Sequence, residues 1–391
     1  MQPLGNKFIT IFICALLCGC AELGSNSQES LNDPSGLATS CPQKDRSWTF
    51  LFYIVADDGG SSFDASTTRY LNTMPPLPNN VEALVLVDRC SAPLWPISTT
   101  TGPVLDSCAQ LYQIQRDGSP QLLDTAPYKL SWLQGFEGDL NMGSYETLSQ
   151  FVLFGLKHTS TTNYGLMIAG HGDGDQVGFD STNDSSLNHA ELEFAFEKAL
   201  TTLANPCLPK LDLVIMAACA MATTGMYTAL APYARWLIAS QENIYGYNLS
   251  WMENLGSKEP SGYISKAEVA QALKNGRVEG ENGLGQQVTM MLSEEVAQEL
   301  AALARETGAV LMETDVPRSA LEDASFNPKT YDFRLIAEKI QDDVLLSQVD
   351  DLMEQTIYEQ TELSEGMNGS IEAHGISVTT SDLGLPGSLV F

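Results

Sequence analysis

The sequence predicts an α/β protein with a mostly parallel central sheet flanked by helices. Two observations carry that prediction. Short, nearly continuous apolar runs recur through the first two thirds of the 391-residue chain. Stretches with helical spacing of apolar residues lie between them, and such alternation builds parallel sheets covered on both faces. The runs are WTFLFYIVA (48–56), EALVLVD (82–88), YGLMIAG (164–170), LDLVIMAA (211–218) and ARWLIAS (234–240). Each is rich in β-branched or aromatic residues and lacks the polar alternation of a half-exposed strand. Residues 144–157 open with a capping serine, Ser144, and 187–200 set Leu187, Leu192, Phe196 and Leu200 at helical spacing. After about residue 258 the pattern turns helical. Residues 263–275, 284–307 (a stripe of Leu284, Val288, Leu292, Val296, Leu300 and Leu303) and 331–360 read as helices, and GISVTT (375–380) reads as a closing strand.

The opening MQPLGNKFITIFICALLCGC has one early cation, Lys7, and an apolar run from Phe8 to Leu17, too short to span a bilayer. It ends Leu17-Cys18-Gly19-Cys20, which resembles a bacterial lipobox, with Cys20 as the lipidated residue. Residues rich in Ser, Asn, Gly and Pro follow, the composition of a flexible tether. The expected organisation is a signal segment at 1–19, a tether at 20–46, a catalytic α/β domain at 47–257, and a mainly helical region with a closing strand at 258–391. A lipid anchor then holds an extracytoplasmic domain at an outer membrane or cell surface without a spanning helix.

Twenty Lys+Arg against 49 Asp+Glu give a net charge of −29. That balance argues against a phosphate-binding surface, so nucleic acid is not an expected partner. Docking onto anionic lipid headgroups is disfavoured for the same reason. Beyond Cys14, Cys18 and Cys20, the cysteines are Cys41, Cys90, Cys108, Cys207 and Cys219. Five is odd, and export allows disulfides, so one thiol is left over. Cys90 with Cys108 and Cys41 with Cys207 are one pairing that sequence permits, and Cys219 is the candidate free thiol. No Walker loop, dinucleotide fingerprint, zinc-spaced Cys/His set or internal repeat occurs.

Two strand ends carry reactive residues. The third run closes Ala169-Gly170-His171-Gly172-Asp173-Gly174, and the fourth closes Ala217-Ala218-Cys219-Ala220-Met221. A histidine and a cysteine leaving two strands of one sheet suit nucleophilic catalysis. The imidazole takes the thiol proton, and the thiolate attacks a carbonyl. The backbone amides of Gly172 and Cys219 are candidate oxyanion donors.

Six segments in order resemble the clostripain-like cysteine peptidases, a family of caspase-like α/β enzymes. They are WTFLFYIVADD (48–58), GDLNMGSYETLSQF (138–151), YGLMIAGHGDG (164–174), GFDSTNDSSLNHAEL (178–192), LDLVIMAACAMAT (211–223) and ARWLIASQE (234–242). The resemblance implies a caspase-like sandwich with a helical C-terminal extension, His171 as general base and Cys219 as nucleophile. It also implies a substrate pocket at Ala217, Ser240 and Gln241, a protein or peptide substrate, and no cofactor. The chain departs from the family's pattern in two places. Ala217 replaces the aspartate that meets a basic P1 side chain, and Gly225 stands near the position of a family glutamate. Residues 172–197 contain no Lys or Arg, so the basic self-cleavage site expected there is missing. These departures imply a P1 preference other than Arg or Lys. They also leave room for a catalytically weak lipoprotein that binds peptide or protein in a remodelled cleft, and for a transpeptidase using the same thioester. Calcium is a possible ligand of Asp57, Asp58 and Asp64, or of Asp173, Asp175, Asp180 and Asp184, although neither spacing is an EF-hand and no metal site is assigned. His158, His189 and His374 read as structural or surface residues. Oligomeric state is open.

Overall fold

The computed structural model describes residues 47–57, 67–68, 71–89, 97–99, 102–104, 108–123, 139–159, 161, 163–241, 244, 252, 288–314, 316, 325–327, 329–360 and 375–385. The expected signal segment and tether, and the expected helix at 263–275, lie outside the described residues. Pro42–Phe391 form one compact unit.

A nine-stranded sheet forms its centre. Five strands run parallel in the spatial order β2 (Val81–Asp88), β1 (Trp48–Val55), β7 (Asn163–Ala169), β10 (Leu213–Ala217) and β11 (Trp236–Ala239). These are the five apolar runs. Beyond β2 lie antiparallel β5 (Ala109–Ile114) and β6 (Pro120–Leu122), and beyond β11 lie antiparallel β12 (Val288–Met291) and β15 (Ile357–Gln360). The expected α/β architecture is therefore present, with an antiparallel pair on each flank. Two short hairpins, β3 (Ile97–Thr99) with β4 (Gly102–Val104) and β8 (Gln176–Asp180) with β9 (Ser185–Asn188), stand outside it.

Both faces of β1 are buried, which explains its unbroken apolar character. Leu51, Tyr53 and Val55 enter one hydrophobic cluster, while Phe50, Phe52 and Ile54 enter the other. The first cluster also takes in apolar residues of α1 (Tyr145–His158), α2 (His189–Leu203), α3 (Thr224–Leu230), α4 (Glu294–Glu313), α5 (Phe333–Ile340) and α6 (Asp343–Thr356). Local chemistry sets where these helices start. Ser144 accepts from the Glu146 amide, Asn188 and Glu191 form a capping box, and Asp342 accepts from Val344 and Leu345. Each such cap contributes about 1 kcal/mol.

The structure corrects the reading of 284–307 as one helix. Val288 sits in β12, and the helix begins only after Ser293, whose hydroxyl caps it. A four-residue strand joined directly to a helix keeps apolar residues near helical spacing, so periodicity alone merges the two. The C-terminal part likewise holds more strand than its helical pattern suggested. β12 and β15 extend the central sheet, while β13 (Ser325–Asn327), β14 (Thr330–Asp332) and β16 (Ser377–Thr379) form a small antiparallel sheet. That sheet reaches the carboxyl ends of the parallel strands, where the Ser377 amide donates to the Ala222 carbonyl at 2.8 Å.

Strand order reverses at β1. The chain places β2 on one side of β1 and then returns to add β7 on the other. Carboxyl-end loops diverge at such a switch point, leaving a crevice suited to a site.

Candidate active site

β7 and β10 are neighbours with Ala169 opposite Ala217. His171 and Cys219 each lie two residues beyond that pair, so both leave the sheet at one level on strands about 4.8 Å apart. The imidazole-bearing residue is exposed, and Cys219 is half-buried and a free thiol. Burial pushes the Cys219 thiol up, a shift the Ile244 amide partly offsets. That amide donates to Sγ at 3.3 Å, and Sγ in turn lies 3.5 Å from the Ile244 carbonyl oxygen. Backbone from the chain after β11 thus flanks the sulfur.

The two loops interlock. Past Cys219 the backbone turns sharply through Ala220, which is fully buried with φ +59°. A left-handed alanine costs about 1 kcal/mol, a strain the surrounding core holds in place. Beyond His171, the Gly178 amide donates to the His171 carbonyl at 2.8 Å and the Asp173 amide to the Gln176 carbonyl at 3.1 Å. Gly172 faces Val177 across this bridge in the position whose own N–H and C=O the bridge does not use. A Cβ on Gly172 would come within 2.7 Å of the Cys219 carbonyl oxygen and 3.0 Å of Ala218 Cβ. Only glycine permits this close approach of the His171 loop to the Cys219 loop.

The three residues expected to line the substrate pocket are buried. Ala217 is 3 % exposed, and Ser240 and Gln241 are fully enclosed. The Ser240 carbonyl accepts from the Ala222 amide at 2.8 Å. The Gln241 amide group donates to Asp332 Oδ2 at 3.2 Å and Ser377 Oγ at 3.3 Å, and its oxygen accepts from the Gly375 amide at 2.6 Å. Gln241 thereby fastens the small C-terminal sheet beneath the site. Further ties reach the loop after His171. Lys329 pairs with Asp173, Ser381 donates to Asp175, and the Gly174 carbonyl lies 3.1 Å from His189 Nε2 and 3.3 Å from Thr223 Oγ1.

Gly225 has a packing reason. A Cβ there would meet His189 Cε1 at 2.3 Å and Asp382 Oδ1 at 2.5 Å, so no larger residue fits beside this pair. His189, read from sequence as structural, holds the loop next to His171. His158 stacks on Phe154 at 4.9 Å, and burial lowers its pKa. His374, Asp58 and Asp64 lie outside the described residues. Cys108 and Cys207 are disulfide-bonded, and Cys41 and Cys90 lie outside the described residues.

Sequence reasoning missed a group of carboxylates at the ends of β1 and β2. Asp57, Asp139 and Asp180 each place an oxygen within 4.8 Å of the other two, and Asp88 lies beside them. Burial, reinforced by the charges of Asp139, Asp180 and Asp57, raises Asp88 to about 8, despite the Leu140 amide that donates to it. The acidic stretches around Asp57 and Asp180 were visible separately. Asp139 was not flagged, because convergence of three segments leaves no spacing in the sequence.

The sequence matches the Clostripain family over residues 52–372. The chain belongs to this family and is a cysteine-type endopeptidase. No curated protein matches. Among solved structures, a secreted C11 cysteine protease from Bacteroides thetaiotaomicron, in complex with an irreversible peptide inhibitor, aligns at TM-score 0.57 and 16% identity, covering 85% of this chain and 92% of that one. An inactive zymogen C11 protease from Parabacteroides distasonis aligns at 0.58 and 18%, covering 86% and 92%. A second secreted C11 protease structure from Bacteroides thetaiotaomicron, iotapain, aligns at 0.59 and 13%, covering 86% and 94%. At these identities the likeness is one of fold.

Proposed function

We propose that this chain cleaves protein or peptide substrates with Cys219 as nucleophile and His171 as general base. The observation that carries the reading is the β7–β10 register, which sets the two residues at one level on adjacent strand ends. His171 takes the Cys219 proton, and Sγ adds to the scissile carbonyl. The oxyanion is received by the amides of Gly172 and Cys219, and collapse expels the amine, protonated by His171, to leave a thioester. Water, activated by the same imidazole, releases the acid and regenerates the thiol. Because the resting sulfur contacts the Ile244 backbone, substrate entry displaces that contact.

The P1 residue preferred here is neither Arg nor Lys. Ala217 supports this, since it offers no carboxylate and lies buried at the end of β10. A bidentate pair with a buried carboxylate is what discriminates a basic side chain, and an alanine leaves it unpaired. Of the two lysines between α1 and Cys219 nearest the nucleophile, Lys198 lies in α2 with its ammonium 5.1 Å from the Tyr145 ring centroid. Lys210 is tied to Glu294 and to the Ala231 carbonyl. Neither sits in an extended segment that a protease would bind. A lipidated Cys20 and the tether to residue 46 place the enzyme at the cell envelope outside the cytoplasm. The disulfides of Cys108 and Cys207 fit such an oxidising compartment.

An acyloxymethyl ketone series varied at P1, with labelled sites mapped by mass spectrometry, tests the reading. Expected are labelling of Cys219, its loss in His171→Ala, and weak labelling by Arg and Lys probes. Strong Arg labelling would overturn the P1 assignment. Absence of labelling by every probe in folded protein would favour a peptide-binding lipoprotein over an enzyme.

A further inference from the structure

We propose that His189, backed by Asp382, is a positioning residue for peptide-bond cleavage, acting through the loop that carries His171. The inference rests on the reading of His171 as general base. His171 stands at the base of a tight hairpin. The Gly178 amide donates to its carbonyl at 2.8 Å, the Asp173 amide donates to the Gln176 carbonyl at 3.1 Å, and Gly172 faces Val177 between them. That pairing leaves Gly174 and Asp175 as a two-residue turn at the tip, with the positive φ of +98° at Gly174 that such turns require. A hairpin this short moves as one piece, so whatever fastens its tip sets the tilt of its base and of the imidazole there.

Groups from distant parts of the chain hold that tip. Lys329 pairs with Asp173, Ser381 donates to Asp175, and His189 Nε2 and Thr223 Oγ1 reach the Gly174 carbonyl oxygen from 3.1 and 3.3 Å. The first two contacts face solvent, since the Lys329 side chain is 44 % exposed and Ser381 is exposed, and such contacts contribute little. The Gly174 carbonyl is held from the protein side. Thr223 is fully buried, and its hydroxyl also accepts from the Met226 amide, so His189 supplies the closer of the two donors. A carbonyl oxygen only accepts, which makes Nε2 the nitrogen of His189 that carries the proton here.

His189 itself stands on rigid support. It opens α2, where Asn188 and Glu191 close the capping box, and Leu192, Ala195 and Phe196 anchor that helix in the core. On the other side of the ring, His189 Nδ1 and Asp382 Oδ1 lie 2.7 and 2.5 Å from the point where a Cβ on Gly225 would stand. The bare glycine thus lets imidazole and carboxylate share one gap. Burial raises the Asp382 pKa, and the charge of His189 works against that rise. Asp382 is fixed in turn, because its Oδ2 accepts from the Thr379 amide at 2.9 Å. A carboxylate on the Nδ1 side orients the ring with Nε2 toward Gly174, as a partner at one imidazole nitrogen sets the role of the other. Support therefore runs from Asp382 through His189 to the Gly174 carbonyl, and down the hairpin to His171.

The test follows labelling of Cys219 in the full chain by the acyloxymethyl ketone that labels the parent fastest, and separates the maximal rate from the half-saturating probe concentration. His189→Asn, whose amide stops short of the Nε2 position, should lower the maximal rate at least ~10-fold, because a misplacement of about 1 Å costs on the order of 100-fold. Half-saturation should stay unchanged. His189→Gln, whose amide nitrogen reaches that position, should recover most of the rate. Asp382→Asn keeps an acceptor for the Thr379 amide and removes the charge, so it should lower the same rate by a smaller factor, and it carries the test if His189→Asn misfolds. In a His171→Ala background, His189→Asn should cause no further loss of residual labelling, since its effect passes through His171. Equal losses in the Asn and Gln variants, a loss confined to half-saturation, or an undiminished effect in the His171→Ala background would overturn the proposal. An unlabelled parent, or full labelling of His171→Ala itself, would bring down the dyad reading and this inference with it, a pattern the variants at 189 cannot produce.

Discussion

Cys219 sits where burial favours its neutral form, and only the Ile244 amide works in the other direction. A thiol raised in this way rests protonated at neutral pH, and its thiolate fraction grows roughly tenfold per pH unit until the pKa is reached. Alkylation of Cys219 by iodoacetamide should therefore climb with pH through 6–8. A rate already flat at pH 6 would indicate a preformed thiolate. Gly172 supplies a second prediction at this scale. Gly172→Ala places a Cβ 2.7 Å from the Cys219 carbonyl oxygen and should displace Cys219, the proposed nucleophile. A misplacement of about 1 Å at a reacting centre costs on the order of 100-fold in rate. Probe labelling of Cys219 should fall accordingly while far-UV circular dichroism stays unchanged. Both residues were legible in sequence, because a histidine between glycines and a cysteine after a buried strand are local patterns. The Ile244 contact was not legible, since it depends on how a distant segment is laid over the sulfur.

Strands and helices meet at the site through Gln241. Its side chain links the end of β11 to Asp332, at the head of α5, and to Gly375 and Ser377 of the small C-terminal sheet. Gln241→Ala removes three buried hydrogen bonds and leaves the Gly375 amide unmatched, at a cost of about 3 kcal/mol. Chemical denaturation should report that loss in the midpoint with little change in slope, and the His171 loop should become more sensitive to proteolysis. Sequence patterning found every parallel strand to within a residue or two, because a strand buried on both faces cannot afford polar residues. It missed β12, β14 and β15, whose three or four residues are too few to show a period. Gln241, expected from the resemblance to line the pocket, is enclosed, and its hydrogen-bonding groups face the C-terminal sheet.

Across the molecule, Cys108 and Cys207 are oxidised while Cys219 stays free. Disulfides of this kind contribute ~2–5 kcal/mol each, so a reductant strong enough to open them should lower Tm by at least ~5 °C. A Tm unchanged by full reduction, verified by thiol counting, would mean that these bonds constrain little. By itself the sequence determined the α/β class, the order of the parallel strands along the chain, the family, and the two reactive residues at strand ends. Each of these is written in contiguous segments, where burial dictates composition and a short loop motif suffices. Tertiary structure alone decided which strands are neighbours, and so set His171 level with Cys219. It also decided that the C-terminal chain braces the site, and that Asp57, Asp139 and Asp180 converge. Those features arise from contacts between residues far apart in the chain, each separately unremarkable, and only packing of the sheet and its loops brings them within ångströms.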